Sequence, residues 1–133
     1  MIKTTYIEDY VYESSNEDGH KVTVDMRDGD EKKGLNAPEL LLSALSGCVV
    51  VDIVTILKKK RKDVRNIQIE TDGVRKQTFP RGYTDIHLKY FLTSSDVNEE
   101  EFMKVAKLSI EKYCTVADTL NAKLTYSVEI IRP

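Results

Sequence analysis

Tryptophan is absent from this 133-residue chain, and proline (three), glycine (six), cysteine (two) and histidine (two) are scarce. Each shortage excludes something. With so little Pro and Gly there is no collagen-like period, no Pro/Gly-rich linker and no low-complexity tract. The whole chain, 1–133, therefore reads as a single domain, long enough to bury a modest core. Two histidines and two cysteines, without the short ligand spacings of metal sites, argue against zinc. The lack of a Cys-x-x-Cys pair counts against general thiol–disulfide exchange. No Gly-rich phosphate loop and no Ser-His-Asp arrangement can be read. Charge of one sign is also missing. Twenty Lys and Arg against 22 Asp and Glu leave a net charge of −2, with a pI near 5.7. That balance gives no general pull toward nucleic acid or an anionic membrane surface. The one basic cluster, Lys58 to Lys62, follows an apolar helical run, where cations suit the negative end of the helix dipole.

What is present is ordinary for a globular protein: 41% hydrophobic and 32% charged residues. The opening Met1-Ile2-Lys3-Thr4-Thr5-Tyr6 leads straight into strand-like sequence with Glu8 and Asp9 behind it, so no signal peptide is read and a cytoplasmic location is expected. The run Leu40 to Leu57 could just span a bilayer by length, but Asp52 lies inside it and Ser43, Ser46, Gly47 and Cys48 interrupt it. It reads as a helix buried on nearly every side.

The order of elements follows from period and caps. Thr4–Ile7 and Tyr10–Tyr12 read as strands of a hairpin, Ser14 to Gly19 as a turn, and Val22, Val24 and Met26 as the inward residues of a half-buried strand. Asn36, Pro38 and Glu39 form a helix start with an Asn-x-x-Glu capping box, and helix is expected to about Arg61. Val64–Lys76 and Tyr83–Thr93 read as strands around a Phe79-Pro80-Arg81-Gly82 turn. Asn98 starts a second helix whose inward stripe is Phe102, Val105, Ala106, Ser109 and Tyr113. Thr115 caps a third, short one, and Leu124, Tyr126, Val128 and Ile130 alternate along a last strand. The order β-β-α-β-β-α-α-β defines an α+β domain. One such chain has little material to surround an all-apolar helix, so a homodimer is expected.

In a cytosolic chain two cysteines are either inert core residues or a functional pair. Cys48 lies mid-helix, with Leu41, Ala44, Leu45, Val51 and Asp52 on its face. Apolar burial alone would make it inert, so reactivity requires a cation to hold its thiolate. Cys114 falls between two helices, ahead of the Thr115 cap, where free backbone N–H groups favour a thiolate and the segment can move. Together they suggest two-cysteine peroxide chemistry: one thiolate attacks the O–O bond and becomes sulfenic acid, and the second condenses with it to a disulfide.

At these residues the chain resembles the OsmC/Ohr family. Pro38-Glu39-Leu40-Leu41-Leu42-Ser43-Ala44-Leu45-Ser46-Gly47-Cys48 is similar to the family helix ending in the reactive cysteine. Ser109 to Leu120 resembles the segment holding the second one. The resemblance implies an intertwined homodimer with long central helices between bent antiparallel sheets. It implies reduction of organic hydroperoxides, alkyl or lipid-derived because the pocket would be apolar, with Cys48 attacking and Cys114 resolving. A dithiol, with no metal or nicotinamide cofactor, would restore the enzyme. Three departures stand out. Glu39 lies nine residues before Cys48, nearly opposite it on an ideal helix, and is either a cap or an active-site carboxylate. Arg27, the one arginine ahead of the central helix, is the candidate for the activating cation. Thr115 follows Cys114 where the peroxidase branches often have proline. The competing expectation is a non-enzymatic module that binds an apolar ligand in the dimer cavity.

Overall fold

The computed structural model describes all 133 residues, as two compact units, Met1–Leu41 and Leu42–Pro133. The first unit is one antiparallel sheet in the order β1-β2-β3, formed by β1 (Lys3–Glu8), β2 (Val11–Ser15) and β3 (Lys21–Asp25). Three strands thus precede the central helix, one at each of the three strand-forming stretches read there, so the expected order β-β-α-β-β-α-α-β is one strand short; the tight Asp9-Tyr10 turn separates the first two. Tyr10 makes that turn from the left-handed region, with φ 67°. The half-buried strand expected at Val22–Met26 is mostly open: Val22 and Met26 are exposed, as are Tyr6 and Ile7. Alternation fixed the strand, but a single three-stranded layer has nothing of its own to cover a face.

Polar interactions hold the end of this sheet. Asp25 is buried, and its carboxylate accepts from Arg27 Nε (2.9 Å) and Nη2 (2.8 Å) and from the backbone N–H groups of Arg27, Lys33 and Gly34. The Arg27 guanidinium, followed by the Lys33 amide, holds Asp25 well below the usual carboxylate range.

The helix α1 (Ala37–Lys59) begins with the expected capping box. Asn36 Oδ1 accepts from the Glu39 N–H (2.9 Å), and Glu39 Oε1 accepts from the Asn36 N–H (3.1 Å). Arg61, at φ 59°, ends it: Arg61 N–H donates to Lys58 O and Lys62 N–H to Leu57 O, the paired bonds of a left-handed C-terminal cap usually built on glycine. By length and composition α1 could cross a membrane. In the structure its buried residues are the i, i+4 stripe Leu45, Val49, Ile53 and Leu57. Each contributes roughly 1.5–3 kcal/mol by leaving water. The rest is not buried on nearly every side as expected: Leu41 and Val51 are 40% and 62% exposed.

The second unit packs that stripe into one core with Ile86, Leu88, Tyr90 and Leu92, the inward row of a second sheet. Its strands are β4 (Asn66–Arg75), β5 (Tyr83–Thr93) and β6 (Lys123–Ile131), in the order β4-β5-β6. The sheets are not both antiparallel: β4 and β5 pair antiparallel, but β5 and β6 pair parallel. Parallel neighbours need a long crossover. Residues 94–122 supply it, with α2 (Glu99–Leu108), a π-helical turn (Ser109–Tyr113) and the short α3 (Thr115–Thr119).

Gly73 on β4 lies under the Tyr83 ring of β5. A Cβ there would stand 2.5 Å from Tyr83 Cδ1 and 2.6 Å from Cε1. Gly73→Ala must displace the ring, so it is expected to destabilise the protein by roughly 1–3 kcal/mol. Thermal unfolding followed by circular dichroism checks this, and an unchanged midpoint would refute the close packing.

Candidate active site

Cys48 is carried by α1, one turn beyond Ala44 and one before Asp52, and is half-buried. The feature that brings Cys114 to it is the π-helical turn. From Phe102 the inward row runs through Val105, Ala106 and Ser109, all buried. A continued α-helix would place Tyr113 next in that row, as the 3.6-residue period expects. The structure instead leaves Tyr113 49% exposed and buries Cys114. The wider turn adds one residue between inward positions, and the Cys114 N–H donates to Ser109 O at 2.8 Å across five residues. Such an insertion leaves only a weak trace in the hydrophobic period.

Ser109 ties the same turn to α1. Its hydroxyl proton is shared between Val49 O (3.1 Å) and Asp52 Oδ2 (3.3 Å). Asp52, the one charge within the apolar part of α1, therefore has a hydrogen-bond partner there.

Both cysteines are free thiols. Cys48 packs against the core that contains Cys114 and raises the Cys114 pKa by a side-chain hydrogen bond and by charge. Cys114, not Thr115, is the residue that caps α3: its sulfur accepts from the Ala117 N–H at 3.3 Å. Backbone donors thus face this sulfur as the sequence suggests, but they do not make it a ready thiolate. Burial is the larger influence, the Cys48 contact acts in the same direction, and together they push the Cys114 thiol up to about 11.

A cavity of about 390 Å³ opens beside Cys114. Its lining is mixed: Ile110, Ala117 and Leu124 stand beside Glu111, Lys112, Thr115 and Asp118. The π turn and the first turn of α3 present their polar outer residues to this opening.

The other two expected contributors lie in the first unit. Glu39 Oε1 accepts from Lys32 Nζ as well as from Asn36, and these bonds, Lys32 first, lower its pKa. These are the bonds of a helix cap. All three nitrogens of the Arg27 guanidinium are committed, to Asp25 and, through Nη1, to Glu8 at 3.0 Å. Sequence reasoning missed Ser109 as the tie between α1 and the π turn, and missed the hydroxyl of Tyr90. Tyr90 is fully buried, and its hydroxyl has no hydrogen-bond partner. A polar atom on the inward face of a β-strand was the available signal.

A two-sheet α+β fold, with two free cysteines from separate helical segments meeting at one core, is an arrangement with known counterparts. A protein-family model described as OsmC-like protein matches residues 28–129, and the chain belongs to that family. It is similar to Protein YhfA of Escherichia coli K12, with 30% identity over 131 residues that cover 97% of this chain and 96% of the relative. Among solved structures, a hypothetical protein from Aquifex aeolicus VF5 superposes with a TM-score of 0.87 at 32% identity, covering 100% of this chain and 96% of that one. The organic hydroperoxide resistance protein OhrB of Bacillus subtilis shares the fold, with a TM-score of 0.64 at 14% identity and 98% of both chains covered.

The raised Cys114 pKa fixes a sign. Between the ordinary thiol value of 9.0 and about 11 the folded protein holds a proton that the unfolded chain releases. The stabilisation is complete below pH 9 and is lost as the pH climbs toward 11. Urea midpoints measured from pH 8 to 11 are expected to fall more steeply for the wild type than for Cys114→Ala. Equal slopes would mean that the thiol is not held protonated by the fold.

Proposed function

We propose that this protein is a thiol-dependent peroxidase that reduces small organic hydroperoxides through Cys48 and Cys114. The observation that carries the reading is the meeting of two free thiols, Cys48 on α1 and Cys114 at the end of the π turn, the second of which lines an open cavity. The fold shared with an organic hydroperoxide resistance protein supports it. Cys48 is the attacking thiol, since Cys114 keeps its proton through neutral pH. Its thiolate takes the terminal oxygen of the hydroperoxide, the O–O bond breaks, and the alcohol leaves. Cys114 then displaces hydroxide from the Cys48 sulfenic acid, giving a disulfide and water. A dithiol reduces that disulfide, with no metal or other cofactor in the cycle. Glu39 is assigned to holding the start of the helix that carries Cys48.

Dithiol-dependent loss of cumene hydroperoxide is expected to vanish in Cys48→Ser. Peptide mapping of peroxide-treated wild type is expected to find a Cys48–Cys114 disulfide. Both thiols remaining free after stoichiometric peroxide would end the proposal.

A second reading, a ligand-binding module without peroxidase activity, is favoured by the firm hold on the Cys114 proton. Equal peroxide loss in wild type and the double cysteine variant would select it.

The working form is a homodimer in the cytoplasm, without a nucleic-acid or membrane partner. Its support is the apolar surface left open within each unit: Tyr6, Ile7, Val22 and Met26 in the first, Val51 in the second. Light scattering on a sizing column is expected to give twice the chain mass, and Val51→Asp is expected to shift it toward one. A monomeric wild type would refute this.

A further inference from the structure

A serine within a helix ordinarily turns its hydroxyl back to the carbonyl four residues earlier in the same helix. Ser46 does so in α1, donating to Leu42 O at 3.0 Å. Ser109 does not. It is fully buried, and its polar groups serve three different elements. Its N–H donates back into α2, to Val105 O and Ala106 O. Its carbonyl accepts the Cys114 N–H at 2.8 Å and closes the π turn. Its hydroxyl crosses to α1, 60 residues away in sequence, and donates to Val49 O (3.1 Å) and Asp52 Oδ2 (3.3 Å). Alanine would fill the same place without the cost of drying a hydroxyl, so the crossing bond is what the serine adds.

The place where that bond lands on α1 matters. Val49 follows Cys48 directly, and Asp52 lies one turn further along the Cys48 face. The hydroxyl thus clasps the turn of helix that carries the first thiol, while the carbonyl of the same residue holds the second. Cys114 has little freedom of its own. Its N–H is bound to Ser109 O, its carbonyl accepts the Asp118 N–H at 3.1 Å, and its sulfur accepts the Ala117 N–H at 3.3 Å. From Cys114 to the peptide beside Cys48 the polar path is two hydrogen bonds long, and Ser109 makes both. Where the Cys114 sulfur lies relative to Cys48 is therefore set by where the π turn sits on α1.

We propose that Ser109 is a positioning residue for the pairing of the two thiols: its hydroxyl bond to Val49 O holds the π turn on α1 so that Cys114 stays in register with Cys48. Asp52 is the second acceptor, which aims the hydroxyl. The proposal rests on the peroxidase reading for the step it serves. In that step an electron pair of Cys114 sulfur forms the S–S bond while the S–O bond of the Cys48 sulfenic acid breaks. Hydroxide leaves and takes the Cys114 proton, so water departs. Cys114 is oxidised, the Cys48 sulfenic acid is reduced, and the organic hydroperoxide of the preceding step supplied the oxidising equivalents. Ser109 and Asp52 exchange no proton with either sulfur; they hold geometry. A misplacement of about 1 Å between reacting groups can cost roughly a hundredfold in rate, so loss of the tie shows in this step.

The test uses no hydroperoxide. The aromatic disulfide dithiobis-nitrobenzoate caps the more exposed Cys48 as a mixed disulfide and releases a first coloured thiolate. Cys114 then attacks the Cys48 sulfur, gives its proton to solvent and releases a second, whose rate reads the register of the two thiols. Cys114→Ser is expected to show the first release alone. In Ser109→Ala the first release is expected at the wild-type rate and the second slowed roughly tenfold or more. Asp52→Asn keeps an acceptor for the hydroxyl and is expected to retain the second release, whereas Asp52→Leu slows it. Phe102→Leu loosens the packing of α2 and leaves the tie intact; its second release is expected to stay fast even though its thermal midpoint falls. Wild-type speed in Ser109→Ala, or equal slowing in Phe102→Leu, overturns the proposal and leaves the peroxidase reading standing. Asp52→Asn as slow as Ser109→Ala would make the carboxylate's charge the requirement and overturn its role as an acceptor. A wild type that gives no second release sinks the pairing itself, and the peroxidase reading with it.

Discussion

One backbone hydrogen bond organises the candidate site: the Cys114 N–H donating to Ser109 O across five residues. It closes the π-helical turn that ends the α2 segment, and three consequences follow. The turn swings Tyr113 out and Cys114 in. It leaves Cys114 in extended backbone geometry, with φ −77° and ψ 106°, so that its sulfur can cap α3. It also holds Ser109 where its hydroxyl meets Val49 O and Asp52. A regular α-helix through the same residues would break the first of these, because a residue five positions along is turned far from the starting face.

The electrostatics of Cys114 show how competing influences resolve. The amide donors of α3 point at its sulfur and favour the anion; burial and the neighbouring thiol favour the proton. The second group wins because a nearly dry sulfur loses the whole hydration of its charged form, while two amide dipoles return only part of it. The cavity beside the thiol, with Glu111, Lys112 and Asp118 on its wall, does not reverse this.

Much of the fold was legible because period and caps are local properties. The box at Asn36 and Glu39, the Asn98 start of α2, the span of β5 and the alternation of Leu124 to Ile130 all stand in the structure. The misses depend on information from outside the segment. The parallel pairing of β6 with β5 is set by the crossover, not by either strand's own pattern. The exposure of Val22 depends on what else covers a sheet that carries a correct alternating sequence. Tyr113 and Cys114 exchanged places because helical period was assumed to be α throughout. For the candidate site, the two cysteines are read from the sequence, and the structure brings them to one core. The Ser109 tie and the idle Tyr90 hydroxyl could not, since each is defined by a partner, present or absent, far along the chain.

The arrangement also argues for an unequal pair on the proposed chemistry. A thiol that attacks hydroperoxide must meet substrate, whereas one that resolves need meet only its oxidised neighbour. Cys48 is the half-exposed member on a long helix; Cys114 is the buried one, at a joint between two short segments. A proton held firmly on Cys114 in the resting state keeps the two sulfurs from repelling each other as anions. The same proton is then available for the hydroxide that leaves when the disulfide forms. A high proton affinity at the second thiol is thus consistent with turnover, provided that something stabilises its anion at the moment of attack.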